Sequence, residues 1–320
     1  MPVFSIIVPV YNAQNTLHKC LDSLVTQTFG DFEVHMIENG SSDASNAICK
    51  EYVLKDPRFL LHSCAENCGP SGARNIGLDK SIGQFIAFVD SDDFVQPEYL
   101  ESLYDGFEDA DVVFLGYNKV NINGKLVKKC VPQIPDSLNY HEILLRLANQ
   151  DMYGYTWVKA FRKDVIGEHR FSEKLNLMED EVFTNEILST KRRLAVVTKQ
   201  GYNYMVGNNI SLMGRTHNDY CRKADVAFSA WQNLLAEYEN KENVLADMAN
   251  SYVQRCMYYC YERDVNIKDF CTDLAESLYF NMSTVENDFA RCVKNKRFDK
   301  IKTMKVIYNV KNMLTKHIKR

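Results

Sequence analysis

Asp90, Asp92 and Asp93 place three carboxylates within four residues, directly after the apolar run Phe85–Val89. At neutral pH these groups repel one another. A divalent cation offsets the repulsion and can bridge carboxylate oxygens to the oxygens of a diphosphate. The same cation acts as a Lewis acid toward a departing phosphate. A second acidic run, Glu179-Asp180-Glu181, opens a stretch whose apolar residues Phe183, Ile187 and Leu188 recur at helical spacing. Acids in a first helical turn complement the helix dipole, and a solvated turn ahead of a helix accounts for Asp90–Asp93 taken alone.

The elements that must position these acids follow from the pattern. Phe4–Val10 is a β-branched apolar run, as expected of a strand buried on both faces. Asn12 or Asn15 is a candidate cap for the helix marked by Leu17, Cys20, Leu21, Leu24 and Val25. Strands are predicted at 32–37, 59–62 and 85–89, with helices at 44–52 and from Gly69 to about Ser81. Strand and helix alternate, which predicts parallel strands with right-handed crossovers. Ligands of such sheets collect beyond the carboxyl ends of the strands, where Tyr11, Glu38 and Asp90 fall. Further on, the pattern predicts a helix to Phe107, a strand at 112–117, a hairpin at Asn123-Gly124, and helices at 140–149 and 179–188. Two short strands are expected at 194–197 and 202–205.

After Gly214 there is neither glycine nor proline, and the remaining residues read as helices at about 219–240, 243–263, 267–281, 284–296 and 299–318. The expected organisation is an α/β domain over 1–216 and an all-α extension over 217–320. From Arg291 onward eleven Lys or Arg face one Asp, so this segment carries about +10 and the residues before it about −14. The net charge of −4 gives no reason to expect a nucleic-acid partner. Ten Cys lack metal-ligand spacing, which argues against zinc. The amino-terminal residues lack a signal-peptide pattern, and with so many thiols this leads us to expect a reducing cytoplasm.

Four ordered stretches, SIIVPVYNAQNTLHKCLDSL, NCGPSGARNIGL, AFVDSDD and MEDEVF, resemble family 2 glycosyltransferases of the GT-A fold over about residues 3–212. The resemblance implies a Rossmann-like, mostly parallel sheet flanked by helices, and a divalent metal, Mn2+ or Mg2+. It implies a UDP-sugar donor and a saccharide or lipid-linked saccharide acceptor, in cell-surface polysaccharide synthesis. Asp90 matches the acid that reaches the nucleotide ribose, and Asp92 the acid that holds the metal; Ser91 lies between them. Pro9, Tyr11 and Asn12 match a stretch that contacts the nucleoside, with the Tyr11 ring available to a uracil. Glu38 stands where the family usually has an Asp that accepts from the base. Gly69 and Arg74 match a GxxxARN stretch, with Arg74 as a cation near the diphosphate or a base carbonyl.

Asp180 matches the general base that takes the acceptor's proton in an inverting transfer, with Glu179 orienting the acceptor or supporting the base. Trp157 and Lys159 match a WxK stretch on the acceptor side; a floor for the sugar and a core position are both open to Trp157. The family's basic residue near Met205 is missing, and Arg215 or His217 is a candidate substitute. A sugar-nucleotide nucleotidyltransferase would need a Gly- and Lys-bearing phosphate loop, which Asn12–Thr16 lacks. A binding module without turnover would have no use for the paired acids at 179–180. The basic tail interleaves Ile301, Met304, Ile307 and Tyr308, a pattern suited to peripheral contact with an anionic membrane or to packing on the protein.

Overall fold

The structure is a computed structural model that describes residues 1–206 and 219–318, with side chains to Asn309. The chain divides into two compact units, Met1–Asn209 and Ile210–Arg320. The first unit is built as β1 (Phe4–Val10), α1 (Leu17–Val25), β2 (Phe32–Glu38), α2 (Ser45–Lys55), β3 (Phe59–Ser63), α3 (Gly69–Lys80), β4 (Phe85–Phe88) and β5 (Phe94–Val95). It continues through α4 (Tyr99–Gly106), β6 (Val112–Asn121), β7 (Leu126–Cys130), α5 (Tyr140–Asn149), β8 (Lys159–Arg162), α6 (Lys163–Ile166), α7 (Glu179–Leu188) and β9 (Leu194–Val206).

One sheet runs in the order β3-β2-β1-β4-β8-β6-β9-β5, with β7 joined to β6. Strands β1 to β4 are parallel, as the alternating pattern requires. Every residue of β2 is buried, as fits a strand covered on both faces. Helix α3 packs on β1 through Gly77: a methyl there would lie 2.4 Å from Cγ2 of Ile7, so only glycine admits this approach.

The structure corrects several expectations. Thr16, not Asn12 or Asn15, is the residue before α1, and it makes no side-chain cap. Asn12 instead adopts φ +50 and accepts from the Ser42 amide at 2.9 Å, tying the end of β1 to the loop after β2. The two short strands after Leu194 are one, β9, because the sheet absorbs the polar Lys199–Gly201 interruption as a bulge opposite Gly116. Strand β8 was not expected; it runs antiparallel to both β4 and β6 and divides the sheet's parallel half from the rest.

The second unit comprises α8 (Tyr220–Leu234), α9 (Lys241–Glu262), α10 (Ile267–Glu276), α11 (Leu278–Met282), α12 (Asp288–Lys294) and α13 (Phe298–Ile318). Ser277 ends α10 and caps α11, which splits the helix expected over 267–281. Phe228, Trp231, Tyr252, Phe270 and Tyr279 form its core. Early in α13, Ile301 is buried and Lys305 donates to the Arg263 carbonyl, whereas Val306 and Ile307 are exposed. No helix among the described residues is long and apolar enough to cross a membrane.

Candidate functional site

The acid triad sits where β4 ends. Carboxylate oxygens of Asp90, Asp92 and Asp93 lie within 4.8 Å of one another, close enough to share a cation. The three are not equivalent. Asp93 is buried: its Oδ1 accepts from the Met205 amide at 2.7 Å and its Oδ2 from the Tyr202 hydroxyl at 2.8 Å. The Tyr202 oxygen accepts in turn from the Asp90 amide at 3.1 Å. Asp93 therefore anchors the turn to β9. Burial, with the charges of Asp92 and Asp90, pushes its carboxyl well above the usual carboxylate range. Ser91 is held through its backbone carbonyl, which accepts from the Thr16 hydroxyl at 3.0 Å.

Arg74, on α3, is buried and reaches both acidic motifs. Its Nη2 donates to Asp90 Oδ1 at 3.2 Å and its Nη1 to Glu179 Oε1 at 3.0 Å. The same Nη1 lies 3.1 Å from Asp180 Oδ1, in ion-pair contact without hydrogen-bond geometry. Burial works against the charged guanidinium, but Asp180, Asp90 and Glu179 outweigh it and raise the pKa of Arg74 further. The guanidinium is thus engaged by three carboxylates. Burial likewise raises Asp90, against the pull of Arg74 and with a push from Asp180. Helix α3 also binds the segment that leads to α7: Ser71 Oγ donates to the Leu175 carbonyl at 3.1 Å. Asn75 exchanges hydrogen bonds with the Phe171 backbone at 2.9 and 2.8 Å.

Helix α7 begins abruptly. Met178 adopts the left-handed conformation, φ +64, immediately before Glu179 and Asp180. A non-glycine residue there carries strain of roughly 1–3 kcal/mol. Asp180 Oδ2 accepts from the Thr156 amide and hydroxyl at 3.3 and 3.2 Å. Thr156 is fully buried and was missed by sequence reasoning; nothing but its place beside Trp157 marks it. Burial and the adjacent Asp180 charge push Glu179 up to about 7, in spite of Arg74.

Trp157 and Lys159 lie behind the site rather than at it. Trp157 is 2% exposed and stacks on Tyr155, Tyr202 and Tyr204 with centroids 4.9, 4.6 and 5.1 Å away. It cannot floor a sugar from that position. Lys159 is also buried; its Nζ donates to the carbonyls of Tyr153 and Tyr155 and to Thr184 Oγ1, whose hydroxyl donates to the Asp180 carbonyl. Burial lowers Lys159 to about 7, against the charges of Asp180 and Glu181. Together these two residues hold the Tyr153–Thr156 segment against α7.

On the other flank, β1 and β2 deliver Pro9, Tyr11, Asn12 and Glu38 to one edge, and the Tyr11 ring is 43% exposed. The longer Glu38 chain folds back: Oε1 accepts from the Ser41 amide at 2.6 Å and Oε2 from Asn46 at 2.9 Å. Burial raises its pKa, but these bonds from Ser41 and Asn46 and one from Gly40 outweigh it, so the net shift is downward. Asn39 donates to Asn67 and the Gly69 carbonyl and accepts from the Cys68 amide, binding the loop that leads to α3. Gly69 opens α3 at φ +75 with open space on its Cβ side. Arg215 and His217 lie outside the described residues.

Residues 5–170 match the family described as glycosyl transferase family 2. EpsH of Bacillus subtilis is 32% identical over 212 residues, 64% of this chain and 61% of the relative. Glycosyltransferase GlyA of Streptococcus pneumoniae is 32% identical over 215 residues, 63% of this chain and 30% of the relative. The chain thus spans less than two thirds of these relatives. Among solved structures, residues 1–349 of Staphylococcus aureus TarS in complex with UDP-GlcNAc share the fold with a TM-score of 0.73 at 22% identity, over 97% of this chain and 92% of that one. The sheet order, the acid triad at the end of β4 and the match over more than half of the sequence agree, and the chain belongs to glycosyl transferase family 2.

Proposed function

We propose that this chain is a divalent-metal-dependent inverting glycosyltransferase. It moves a hexose or N-acetylhexosamine from a UDP-sugar to a saccharide acceptor in cell-surface polysaccharide synthesis. The observation that carries this reading is the buried Arg74, which joins Asp90 of the triad to Glu179 and Asp180 and so sets two acidic centres side by side. A UDP-GlcNAc complex of TarS and the naming of TarS as a poly(ribitol-phosphate) β-N-acetylglucosaminyltransferase support the donor and acceptor classes.

In this reading Tyr11, Pro9 and Asn12 flank the nucleobase, and Glu38 shapes the Gly40–Ser42 turn against it. Gly69 lets the backbone approach the donor. Asp90 holds the ribose and Asp92 the metal; Mn2+ or Mg2+ suits this all-oxygen donor set and supplies charge neutralisation to the leaving diphosphate. The site fits such an ion because carboxylate oxygens of Asp90, Asp92 and Asp93 converge within 4.8 Å of one another. Asp180, its carboxylate oriented by Thr156 and Arg74, takes the proton of the attacking hydroxyl. The new glycosidic bond forms on the face opposite the breaking sugar–phosphate bond, so the anomeric carbon inverts. Glu179, Lys159 and Trp157 keep Asp180 in place.

The test is a thermal-shift screen of UDP-sugars with Mn2+ or Mg2+. A metal-dependent stabilisation by one UDP-sugar, lost in Asp92→Ala, is expected. Equal stabilisation of Asp92→Ala would refute the metal role. The exposed Val306 and Ile307 among lysines favour peripheral contact of α13 with an anionic membrane. Flotation with anionic but not neutral vesicles is expected, and equal flotation with both would sink it.

A further inference from the structure

Eight of the ten cysteines are buried; Cys64 is half-buried and Cys68 exposed. These two are the first and last residues of the five-residue loop between β3 and α3, and their backbones are tied to the consecutive residues Glu38 and Asn39. The loop lies against the proposed nucleotide edge. The Cys64 amide donates to the Glu38 carbonyl at 2.8 Å, and the Cys68 amide donates to Asn39 Oδ1 at 2.9 Å. The Cys68 thiol lies 3.1 Å from the same Asn39 oxygen. Gly72 lies against it: a methyl there would come within 2.8 Å of Cys68 Sγ, so glycine at this place admits the thiol. Asn39 thus holds Cys68 by its amide and thiol, and the Glu38 carbonyl holds the Cys64 amide one residue away.

We propose that Cys64 and Cys68 are a hydroperoxide-reactive dithiol beside the donor site, whose disulfide weakens nucleotide binding. Exposure makes Cys68 the sulfur an oxidant reaches first. Burial, followed by the Cys68 charge, pushes the Cys64 thiol up to about 11, so Cys64 is the less reactive of the two toward an oxidant. The Cys68 sulfur attacks the O–O bond of the hydroperoxide, giving a sulfenic acid and releasing water or an alcohol. The Cys64 sulfur then attacks the sulfenic sulfur, and a second water leaves. Two thiols lose two hydrogens in all, and one peroxide bond is reduced. Drawing the sulfurs to about 2.05 Å takes Cys68 away from Asn39. That loosens the Asn39–Asn67–Gly69 stitching next to Glu38. The consequence for binding rests on the donor-site reading above.

Trypsin cleavage after Arg58 and Arg74 releases Phe59–Arg74, which holds both cysteines and no other. After the full-length reduced protein is treated with hydrogen peroxide, this peptide is expected two hydrogens lighter, and dithiothreitol is expected to restore it. Cys64→Ser is expected to abolish the mass loss and leave oxygen adducts on Cys68. Calorimetry with UDP and Mn2+ is expected to show binding weakened about tenfold in the oxidised protein and recovered on reduction. Oxygen adducts on the wild-type peptide without loss of two hydrogens would overturn the dithiol. A disulfide that leaves UDP affinity unchanged would overturn its effect on binding. If the reduced protein does not bind UDP, the donor-site reading fails, while the peptide mass still decides the dithiol.

Discussion

Replacing Arg74 by Met removes a cation that three buried or half-buried carboxylates share. The contacts are 3.0 Å to Glu179, 3.1 Å to Asp180 and 3.2 Å to Asp90. Each is a gross attraction of roughly 4 kcal/mol at the effective dielectric of such sites. Most of that is offset by the desolvation of the guanidinium, so the net loss follows the range for breaking a buried pair, about 3–5 kcal/mol. For a unit of about 200 residues this corresponds to about 6–20 °C in Tm. The loss should depend on pH. Without Arg74, Asp90 and Glu179, whose pKa values are already raised, rise further, and the folded variant takes up protons more readily than the unfolded chain. The penalty is then complete above pH 8 and shrinks as pH falls toward 5. Differential scanning calorimetry of Arg74→Met and wild type from pH 5 to 9 measures both quantities. A deficit that is constant with pH would mean that Arg74 acts by packing alone. A deficit under about 2 °C at pH 8 would mean that the carboxylates do not depend on it.

Asp180→Asn should bind UDP with Mn2+ as the wild type does while transfer falls by about 10²–10⁴; calorimetry and product analysis separate the two, and retained turnover would assign the base elsewhere. Glu179 illustrates the opposite sign from an ordinary salt-bridged acid. Its folded pKa is raised from 4.5 to about 7, so stability is lost as pH rises from about 4.5 to 7. Glu179→Gln should therefore gain up to about 3 kcal/mol relative to wild type between pH 5 and pH 8, read as Tm at each pH. Gly77→Ala should cost about 1–3 kcal/mol through the 2.4 Å clash with Ile7, seen as a lower denaturant midpoint with an unchanged slope.

The sequence made the parallel half of the sheet legible, since β1 to β4 are short apolar runs bounded by turn formers, and each lies within a residue or so of its expected span. Strand β8 escaped because Lys159-Ala160-Phe161-Arg162 has four residues with charged ends, and only its neighbours β4 and β6 make it a strand. The motif residues themselves could be named from type and spacing. Their partners could not. Arg74 meets Glu179 across 105 positions and Asp93 meets Tyr202 across 109, and no local signal encodes either contact. Trp157 gave no sign of whether it faced a ligand or the core; that depended on three tyrosines, two of them on β9.

Helix α3 holds Asp90 through Arg74, and through Ser71, Arg74 and Asn75 it holds the whole approach to Glu179 and Asp180. Drift in its inward-facing residues would disturb both acidic motifs at once. On the proposed function, variation in substrate choice that spares those motifs would fall in parts of the chain that α3 does not grip. The β6–β7 hairpin, with Ile122, Leu126 and Val127 exposed at its tip, is one such place. A lineage could exchange the tip of that hairpin for another and leave the Arg74-centred contacts of both acidic motifs in place.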